Sequence, residues 1–333
     1  MKNSTRGLID FETPVCYKHS DVSERGTPTA ENLVCPFCRT PGPFPRYRFD
    51  NGSILACNHC DLMWLHPRPD EDQLYDIYGT MGYYSNKDFY QRDSSKIYGY
   101  VDYLAERINK QYRYRKIVTD VKKRLIRDQG GQPLGMSWLD VGCGLGFLLD
   151  VAFDEGFRVS GVEFSLPAIE YIHSKYTFPV QYGLLGEVYF SGTFSVISMF
   201  DVVEHVTDPV GDLKKLRGVI APGGYLLIQT MDSRSFMSRL LGKKLEDFRR
   251  TREHLYFFSR KSLTAVLDHC GWEVCEIKLI GQTFQLGALI DRIAVYSRPL
   301  SRFFRFMVFP KWLLEANLYV NPGTKMMVIA RPK

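Results

Sequence analysis

The stretch WLDVGCGLGFLL, residues 138–149, decides the fold of this 333-residue chain. An apolar strand leads into the carboxylate of Asp140, then into alternating glycines, and then into apolar residues at helical spacing. Glycines let the backbone turn sharply and let a ligand approach the main chain closely. The helix that follows begins with free N–H groups. The stretch therefore predicts the first strand–turn–helix unit of a nucleotide-binding α/β domain.

The acids around this turn indicate which kind of nucleotide it suits. The glycines are Gly142, Gly144 and Gly146, whereas a dinucleotide site has the pattern G-x-G-x-x-G and needs no acid before it. Asp140 would repel a pyrophosphate, but it would suit a ligand with cationic ends, such as the ammonium and sulfonium groups of S-adenosylmethionine. Glu163 ends the next apolar strand, at the spacing where an acid binds ribose hydroxyls.

Strand, Asp140, glycine turn, helix and Glu163, in this order, resemble the first two motifs of the class I S-adenosylmethionine-dependent methyltransferases. An ordinary dehydrogenase-type turn is the alternative. The resemblance implies an α/β fold with a Rossmann-like sheet of seven strands and helices on both faces. It also implies a cofactor site, for which the candidates are Tyr84, Asp140, Gly142, Cys143, Gly144, Gly146, Glu163, Phe164, Leu184, Leu185, Phe200, Asp201 and Glu204.

The residues after the predicted fourth strand extend the resemblance. The run DVVEHV, residues 201–206, resembles the acid-x-x-Glu-His-Val motif of small-molecule methyltransferases. It lies at the carboxyl end of a central strand, where α/β sheets bind ligands. Surface acids and a packing histidine are the alternative. Many relatives have an Asp where this chain has Leu184, so the acidic contact to adenine is in doubt, and a backbone N–H of Leu184 or Leu185 is the alternative.

Cysteine spacing predicts a metal site before this domain. Cys35 and Cys38 form one Cys-x-x-Cys pair and Cys57 and Cys60 form another, with eighteen residues between the pairs. Each pair points two thiolates at one centre, so together they complete a tetrahedral Cys₄ zinc site. Four thiolates close the site, so the zinc is expected to be structural and to supply folding energy. His59, inside the second pair, is a less favoured ligand.

The sequence predicts these parts: a flexible tail at 1–32, a zinc ribbon at 33–69, a helical cofactor-covering segment and linker at 70–130, and the methyltransferase domain at 131–333, with an insertion at 231–259 and an aromatic helical cover at 282–322. The zinc pairs, an apolar-Pro-Arg-Pro exit and the Tyr83-Tyr84 pair, in this order, resemble a bacterial subgroup. Its members often act on sugars, glycans or other small metabolites, and its pre-core segment covers the cofactor.

Composition sets broad limits on function. The net charge of +6 permits an acidic substrate, a nucleic acid or an anionic membrane surface, and it requires none of them. No apolar run approaches 18 residues, so no transmembrane helix is expected. The N-terminal residues are polar and show no secretory signal. The expected location is therefore the cytoplasm, where paired cysteines indicate metal rather than disulfides.

The insertion supplies candidates for acceptor binding and for a general base. Its basic residues indicate an anionic acceptor, with a solvated loop as the alternative: Lys243, Lys244, Arg249, Arg250 and Arg252. A hydroxyl acceptor benefits from a base with a pKa near neutrality, which histidine provides. His254 is the first choice, because the insertion should approach the acceptor. His205, beside Glu204, is the second choice.

The resemblance implies methyl transfer from S-adenosylmethionine to a small acceptor, with a hydroxyl of a sugar or of a glycan or secondary-metabolite precursor favoured. A rival reading is an RNA methyltransferase that holds nucleic acid with the ribbon and a basic helix near 94–127. A third is a non-catalytic cofactor-binding subunit of a larger assembly. The aromatic segment 282–322 is expected to cover the acceptor, with peripheral membrane contact as the alternative.

Overall fold

The computed structural model describes residues 33–86, 99–100, 102–128, 135–287, 289–290, 293, 297–307 and 309–333. The predicted tail lies outside the described residues, as do parts of the covering segment and of the aromatic cover. Within the described ranges the chain forms a four-stranded sheet and a seven-stranded sheet.

The cysteine-containing segment folds as a small antiparallel ribbon. Its strands are β1 (Phe44–Phe49), β2 (Gly52–Ala56) and β3 (Met63–His66). Ile54 and Met63 are fully buried under this ribbon together with Phe248 and Phe257, which come from the distant insertion. The ribbon therefore completes its apolar core with side chains of the α/β domain, because its own segment is too short to bury one.

Two helices lead from the ribbon to the α/β domain, α1 (Glu71–Tyr78) and α2 (Arg107–Asp128). Helix α2 buries Tyr114, Val118, Val121 and Leu125, which recur at helical spacing. Much of its predicted basic face is paired with acids. Arg115 contacts Asp154 and Glu155, Lys122 contacts Glu155, and Arg124 contacts Glu276. These contacts fix α2 against the domain.

The α/β domain follows the alternation that the sequence predicts. Its strands, with one ribbon strand among them, are β4 (Ser137–Val141), β5 (Arg158–Glu163), β6 (Val180–Tyr182), β7 (Phe194–Phe200), β8 (Ile220–Met231), β9 (Tyr256–Phe257), β10 (Trp272–Gln285) and β11 (Asn317–Pro332). Its helices are α3 (Phe147–Asp154), α4 (Leu166–Lys175), α5 (Pro209–Val219), α6 (Phe236–Leu241), α7 (Glu246–Arg249), α8 (Arg260–His269), α9 (Arg298–Phe306) and α10 (Lys311–Leu314).

The large sheet has the strand order β10-β11-β8-β7-β4-β5-β6 within the described residues. Strands β4 to β8 are parallel where they pair, whereas β11 is antiparallel to β8 and β10 is antiparallel to β11. The strand order changes direction between β4 and β7, and the crevice at this point is where open α/β sheets bind ligands. The predicted Rossmann-like α/β fold is confirmed.

The closing hairpin reaches into the segment that the sequence predicted to be a helical cover. The outer parts of β10 and β11, 282–285 and 317–320, pair with each other. The prediction of a helical cover over 282–322 is therefore wrong at both of its ends. The strand-favouring side chains Thr283, Phe284, Tyr319 and Val320 lie in these extensions.

The insertion after β8 joins the ribbon to the domain. Strand β9 pairs antiparallel with β3, with Met63 opposite Phe257 and Trp64 opposite Tyr256. The run HLYFFS, residues 254–259, thus spans from the candidate site to the ribbon sheet, and α8 begins directly after it. The sequence predicted that the insertion approaches the acceptor, and it did not indicate this pairing, because β3 and β9 lie far apart in the chain.

Candidate active site

The glycine turn between β4 and α3 forces the backbone into the left-handed region. Gly142 has a φ of 69°, and a Cβ at this position would lie 2.4 Å from Cγ2 of Val202. A larger residue could not occupy the position without moving the loop. Gly144 directs its N–H to Oε2 of Glu163 at 2.7 Å. The turn after β4 and the end of β5 are thus tied together at the carboxyl edge of the sheet.

Glu163 is held by backbone donors on both of its oxygens. Oε1 accepts hydrogen bonds of 2.8 Å from the N–H groups of Phe164 and Ser165. Burial raises the pKa of Glu163, and the three backbone donors oppose the rise because they stabilise the carboxylate. A carboxylate has about four acceptor positions. Glu163 therefore keeps capacity for a ligand hydroxyl.

A cavity of about 500 Å³, here called the glycine-loop cavity, opens beside this turn. The predicted cofactor residues that line it are Tyr84, Gly142, Gly144, Glu163, Phe164, Leu184, Leu185, Phe200 and Asp201. Four other predicted residues, all within the described ranges, lie outside its lining: Asp140, Cys143, Gly146 and Glu204. The structure thus brings most of the candidate set together around one space.

Three of the four residues outside the lining, Asp140, Cys143 and Gly146, support the glycine turn. Asp140 is buried and accepts a hydrogen bond of 2.5 Å from the hydroxyl of Ser198, and burial raises its pKa to about 7. The thiol of Cys143 packs so closely on β5 that a Cβ on Gly161 would lie 2.7 Å from it. Gly146 is the N-cap of α3. These residues shape the turn rather than face the cavity.

Tyrosines from the predicted covering segment close the glycine-loop cavity on one side. Tyr83, Tyr84, Tyr100 and Tyr103 all line the cavity. Their rings meet edge to face, with centroids 5.3 Å apart for Tyr83–Tyr84 and 4.6 Å apart for Tyr100–Tyr103. Burial raises the pKa of all four hydroxyls well above the ordinary value, so the cover is uncharged.

The insertion holds this cover in place at Gly99. The N–H of Gly99 lies 3.2 Å and 3.3 Å from the two carboxylate oxygens of Glu253, and its carbonyl accepts a hydrogen bond of 2.7 Å from Arg250. Arg250 and Glu253 are themselves paired at 2.7 Å, and both are buried. A buried ion pair thus brackets one peptide of the cover, next to Tyr100.

A second cavity of about 440 Å³, here called the insertion cavity, lies between the insertion, α2 and the closing hairpin. Tyr100, Asp201 and His205 line both cavities, so the two spaces adjoin at these residues. Glu204 and His254 line the insertion cavity. The arrangement can place one ligand in each cavity with their reacting groups next to each other.

Asp201 stands at the boundary in a strained conformation. Its φ is 56°, which is uncommon for a residue with a Cβ. Oδ1 lies 2.6 Å from Nζ of Lys325, and Oδ2 accepts a hydrogen bond of 2.9 Å from Gln229. Burial acts to raise the pKa of Asp201, but Lys325 and Arg113 outweigh it and lower the pKa below the ordinary range. Asp201 is therefore ionised, and the cations Lys325 and Arg113 offset its negative charge.

His205 is held in one tautomer. Its Nδ1 lies 2.9 Å from the carbonyl oxygen of Glu253 and 2.8 Å from the hydroxyl of Tyr78. A carbonyl oxygen can only accept, so Nδ1 carries the proton and Nε2 carries a lone pair. Burial lowers the pKa of His205 below the ordinary 6.5. The imidazole is neutral at pH 7 and can accept a proton.

His254 and Glu204 have buried polar atoms without a partner among the described residues. These atoms are Nδ1 of His254 and Oε2 of Glu204. Burial, and then His205, lower the pKa of His254 well below 6.5, whereas burial, and then Asp201, raise the pKa of Glu204 to about 8. One ligand atom from each of Glu204, His205 and His254 lies within 4.8 Å of the others. Such a set can share a proton or hold a divalent cation.

The four predicted zinc ligands also come together. The Sγ atoms of Cys35 and Cys60 are 3.6 Å apart, and those of Cys38 and Cys57 are 3.5 Å apart. A disulfide would place them at about 2.05 Å, whereas four thiolates at about 2.3 Å from a tetrahedral centre are separated by roughly 3.8 Å. The geometry therefore suits a metal ion better than disulfide bonds.

Sequence reasoning missed several residues of the site. Lys325 begins the apolar run of the last strand, where a lysine looks like a strand boundary. Tyr78 ends α1, and Glu253 follows the basic residues of the insertion in a stretch that resembles a solvated loop. No local signal marks these positions, because their partners are brought to them by the fold.

The two adjoining cavities lie at the carboxyl edge of an α/β sheet, where such sheets bind ligands. Residues 108–277, about half of the chain, match the family described as a methyltransferase domain, and the chain belongs to this family. It is an S-adenosylmethionine-dependent methyltransferase. No helix among the described residues is long and apolar enough to cross a membrane.

The chain is similar to several named methyltransferases. The chain is 28% identical to the ubiquinone biosynthesis O-methyltransferase of Thiobacillus denitrificans, over 45% of this chain and 69% of the relative. It is 24% identical to the enzyme of the same name from Vibrio parahaemolyticus, over 52% and 81%. Among solved structures, it is similar to magnesium protoporphyrin IX methyltransferase from Synechocystis, crystallised with S-adenosylhomocysteine, with 15% identity, coverage of 79% and 100%, and a TM-score of 0.47.

Proposed function

We propose that the protein transfers a methyl group from S-adenosylmethionine to a hydroxyl of a small acceptor, such as a sugar or a glycan or secondary-metabolite precursor. The observation that carries this proposal is the junction of the two cavities at Tyr100, Asp201 and His205. It provides a cofactor space and an acceptor space with a neutral imidazole between them. The class of acceptor follows the resemblance of the chain to small-molecule methyltransferases.

The glycine-loop cavity fits S-adenosylmethionine. Glu163 offers carboxylate capacity for the ribose hydroxyls, and the absence of a Cβ at Gly144 leaves the backbone open towards the cavity. Leu184 and Leu185 line the part of the cavity beyond β6, where a backbone N–H can serve the adenine. The cofactor supplies a methyl group that is already activated as a sulfonium. The protein therefore has to align the acceptor and remove its proton.

The geometry favours His205 as the general base, with His254 as the second candidate. The sequence favoured the reverse order. His205 borders both cavities, and the carbonyl of Glu253 leaves Nε2 as the proton-accepting atom. His254 lines the insertion cavity, so its unpartnered Nδ1 lies one step further from the cofactor space. Glu204, with its pKa of about 8, is protonated at neutral pH and can orient an acceptor as a donor.

We further propose that Cys35, Cys38, Cys57 and Cys60 hold one structural zinc ion. The thiol spacing supports this proposal, and so does the small core of the ribbon, which needs an added source of folding energy. Reduced, unbridged thiols suit the cytoplasm, which is the proposed location.

Exposed aromatic side chains in the segment 282–322 support a further proposal, which is peripheral membrane contact. Phe303, Phe306 and Trp312 are 61%, 90% and 71% exposed, and Lys311 lies next to Trp312. Apolar side chains with adjacent cations are typical of surfaces that rest on anionic lipid. Flotation with anionic vesicles tests this proposal. An unchanged bound fraction for the double variant Phe303→Ser and Phe306→Ser would contradict it.

The predicted anionic acceptor has weaker support, because Arg250 is already paired with Glu253 and with the carbonyl of Gly99 in the tyrosine cover.

The experiment that tests the proposed function combines binding with transfer. Purified protein should bind S-adenosylhomocysteine in calorimetry and should not bind NAD. It should then release S-adenosylhomocysteine from labelled S-adenosylmethionine when hydroxylated metabolites are supplied. Binding of NAD in place of S-adenosylhomocysteine would overturn the assignment of the glycine-loop cavity. Transfer to a nitrogen or carbon acceptor alone would overturn the assignment to a hydroxyl.

A further inference from the structure

The insertion cavity separates polar from apolar surface. Its deep end carries Asp201, Glu204, His205, His254 and Lys325, at the boundary with the glycine-loop cavity. Glu204 and His254 are only 1% and 3% exposed. On the side formed by α6 and the closing hairpin the wall is largely apolar and partly exposed, and it includes Met237, Leu241, Ile280, Phe284, Leu289 and Val320. The side formed by α2, the residue before it and the insertion is mostly polar, and it carries Glu106, Asn109, Lys110, Arg113, Glu246, Asp247 and Arg250. A ligand in this cavity therefore meets hydrogen-bonding groups at one end and hydrocarbon along the side of α6 and the hairpin.

The long closing hairpin builds much of the apolar wall. Lys325 of β11 lies opposite Met231 at the carboxyl end of β8, so the residues of β11 before Lys325 extend beyond the sheet. In this extension 317–320 pair with 282–285, and Phe284 and Val320 line the cavity. The overhang thus carries apolar side chains away from the reacting end and towards the outside.

Helix α6 forms another part of the wall and presents two different faces. Met237 and Leu241, four residues apart, line the cavity and are partly exposed. Phe236 and Leu240, the residues just before them, are 78% and 65% exposed and lie outside the lining. The cavity-facing pair can therefore be changed separately from an outer apolar pair on the same helix.

We propose that the acceptor is an amphiphile, with a hydroxylated head at the polar end and an apolar chain along the wall formed by α6 and the hairpin. This inference rests on the proposed function and names its substrate class. A fully polar acceptor would leave the apolar wall in contact with ordered water and would gain nothing from it. An apolar chain displaces that water, and each buried methylene strengthens binding by roughly four-fold.

The test uses a chain-length series with the protein saturated in S-adenosylhomocysteine. Hexane-, octane- and decane-1,2-diol are titrated by calorimetry. Affinity is expected to rise by roughly 16-fold for each two-carbon step until the chain passes the rim. Leu241→Ser should lower the affinity for the octanediol by about ten-fold. Leu240→Ser, the matched control on the outer face, should leave it unchanged.

A second measurement keeps the test independent of the variants. With the methionine methyl groups labelled with ¹³C, the Met237 signal should shift on addition of decanediol, whereas that of Met81, which lies outside the lining, should not. Diols that bind with an affinity independent of chain length, or that do not bind, would overturn the amphiphile. So would equal losses in Leu240→Ser and Leu241→Ser. Failure to bind S-adenosylhomocysteine would instead contradict the proposed function itself.

Discussion

Glu253 contacts His205 through its backbone and Gly99 through its side chain. Its carbonyl oxygen lies 2.9 Å from Nδ1 of His205, and its carboxylate oxygens lie 3.2 Å and 3.3 Å from the N–H of Gly99. One residue of the insertion thus orients the candidate base and holds the tyrosine cover of the glycine-loop cavity. The position of the insertion therefore affects both halves of the proposed reaction.

Removal of the Glu253 carboxylate should loosen the tyrosine cover at Gly99 and Tyr100. Glu253→Ala removes the carboxylate closest to the buried Arg250, and the loss of one member of a buried ion pair typically costs about 3–5 kcal/mol. Hydrogen exchange of the peptide that spans 99–106 should become faster. Glu246→Ala is the matched control, because Glu246 contacts Arg250 at 3.6 Å, a longer distance. Equal exchange in both variants would show that the contact with Gly99 does not hold the cover.

Loss of the Glu163 carboxylate should weaken cofactor binding. Glu163→Ala removes the proposed ribose contact and the acceptor for Gly144, Phe164 and Ser165. The affinity for S-adenosylhomocysteine in calorimetry is expected to fall by roughly 1–3 kcal/mol. Glu170→Ala, on the exposed side of α4, is the control. An unchanged affinity in Glu163→Ala would remove this residue from the cofactor site.

Glu204 should make stability depend on pH. Its folded pKa of about 8 is above the ordinary 4.5, so its contribution to stability is fully present below pH 4.5 and is lost as the pH rises towards 8. Glu204→Gln removes this contribution. In denaturant titrations the stability of the variant relative to wild type should therefore rise with a slope of up to about 1.4 kcal/mol per pH unit in this window. A flat difference for Glu204→Gln would refute the raised pKa.

Replacement of the base should lower turnover while cofactor binding is retained. With a hydroxylated acceptor in hand, His205→Ala should reduce turnover by roughly 10²–10⁴-fold. Because the pKa of His205 is below 6.5, protonation of its imidazole should lower wild-type turnover only in solution more acidic than neutral. A larger loss in His254→Ala than in His205→Ala would reverse the order of the two candidates. Near-wild-type turnover in both variants would mean that the protein aligns the acceptor without supplying a general base.

The purified protein should contain about one zinc ion per chain. Cys38→Ser should lose the metal and destabilise the ribbon, because Cys38 is one of four converging thiols. Cys275→Ser is the control, since Cys275 is exposed and lies outside the cluster. Metal analysis by mass spectrometry on protein purified without chelators makes the comparison. Full zinc content in Cys38→Ser would exclude it as a ligand.

Local patterns were enough to predict the fold and many of the residues that line the glycine-loop cavity. The glycine turn at 142–146 and the acid at Glu163 are close in sequence, and the strand that each follows carries it to the same edge of the sheet. The alternation of apolar strands and helices then defined the order of the domain. The extent of the closing hairpin was missed, because the outer pairing of 282–285 with 317–320 joins segments separated by other elements.

The sequence by itself determined those features whose physical cause is local. They are the left-handed glycine turn, the period of buried strands and helices, and the Cys-x-x-Cys spacing. The tertiary structure alone decided that Lys325 neutralises Asp201, that the carbonyl of Glu253 sets the tautomer of His205, and that β9 completes the ribbon. These contacts join residues far apart in the chain. Their energies depend on burial and on distances of a few ångströms, which exist only once the chain has folded.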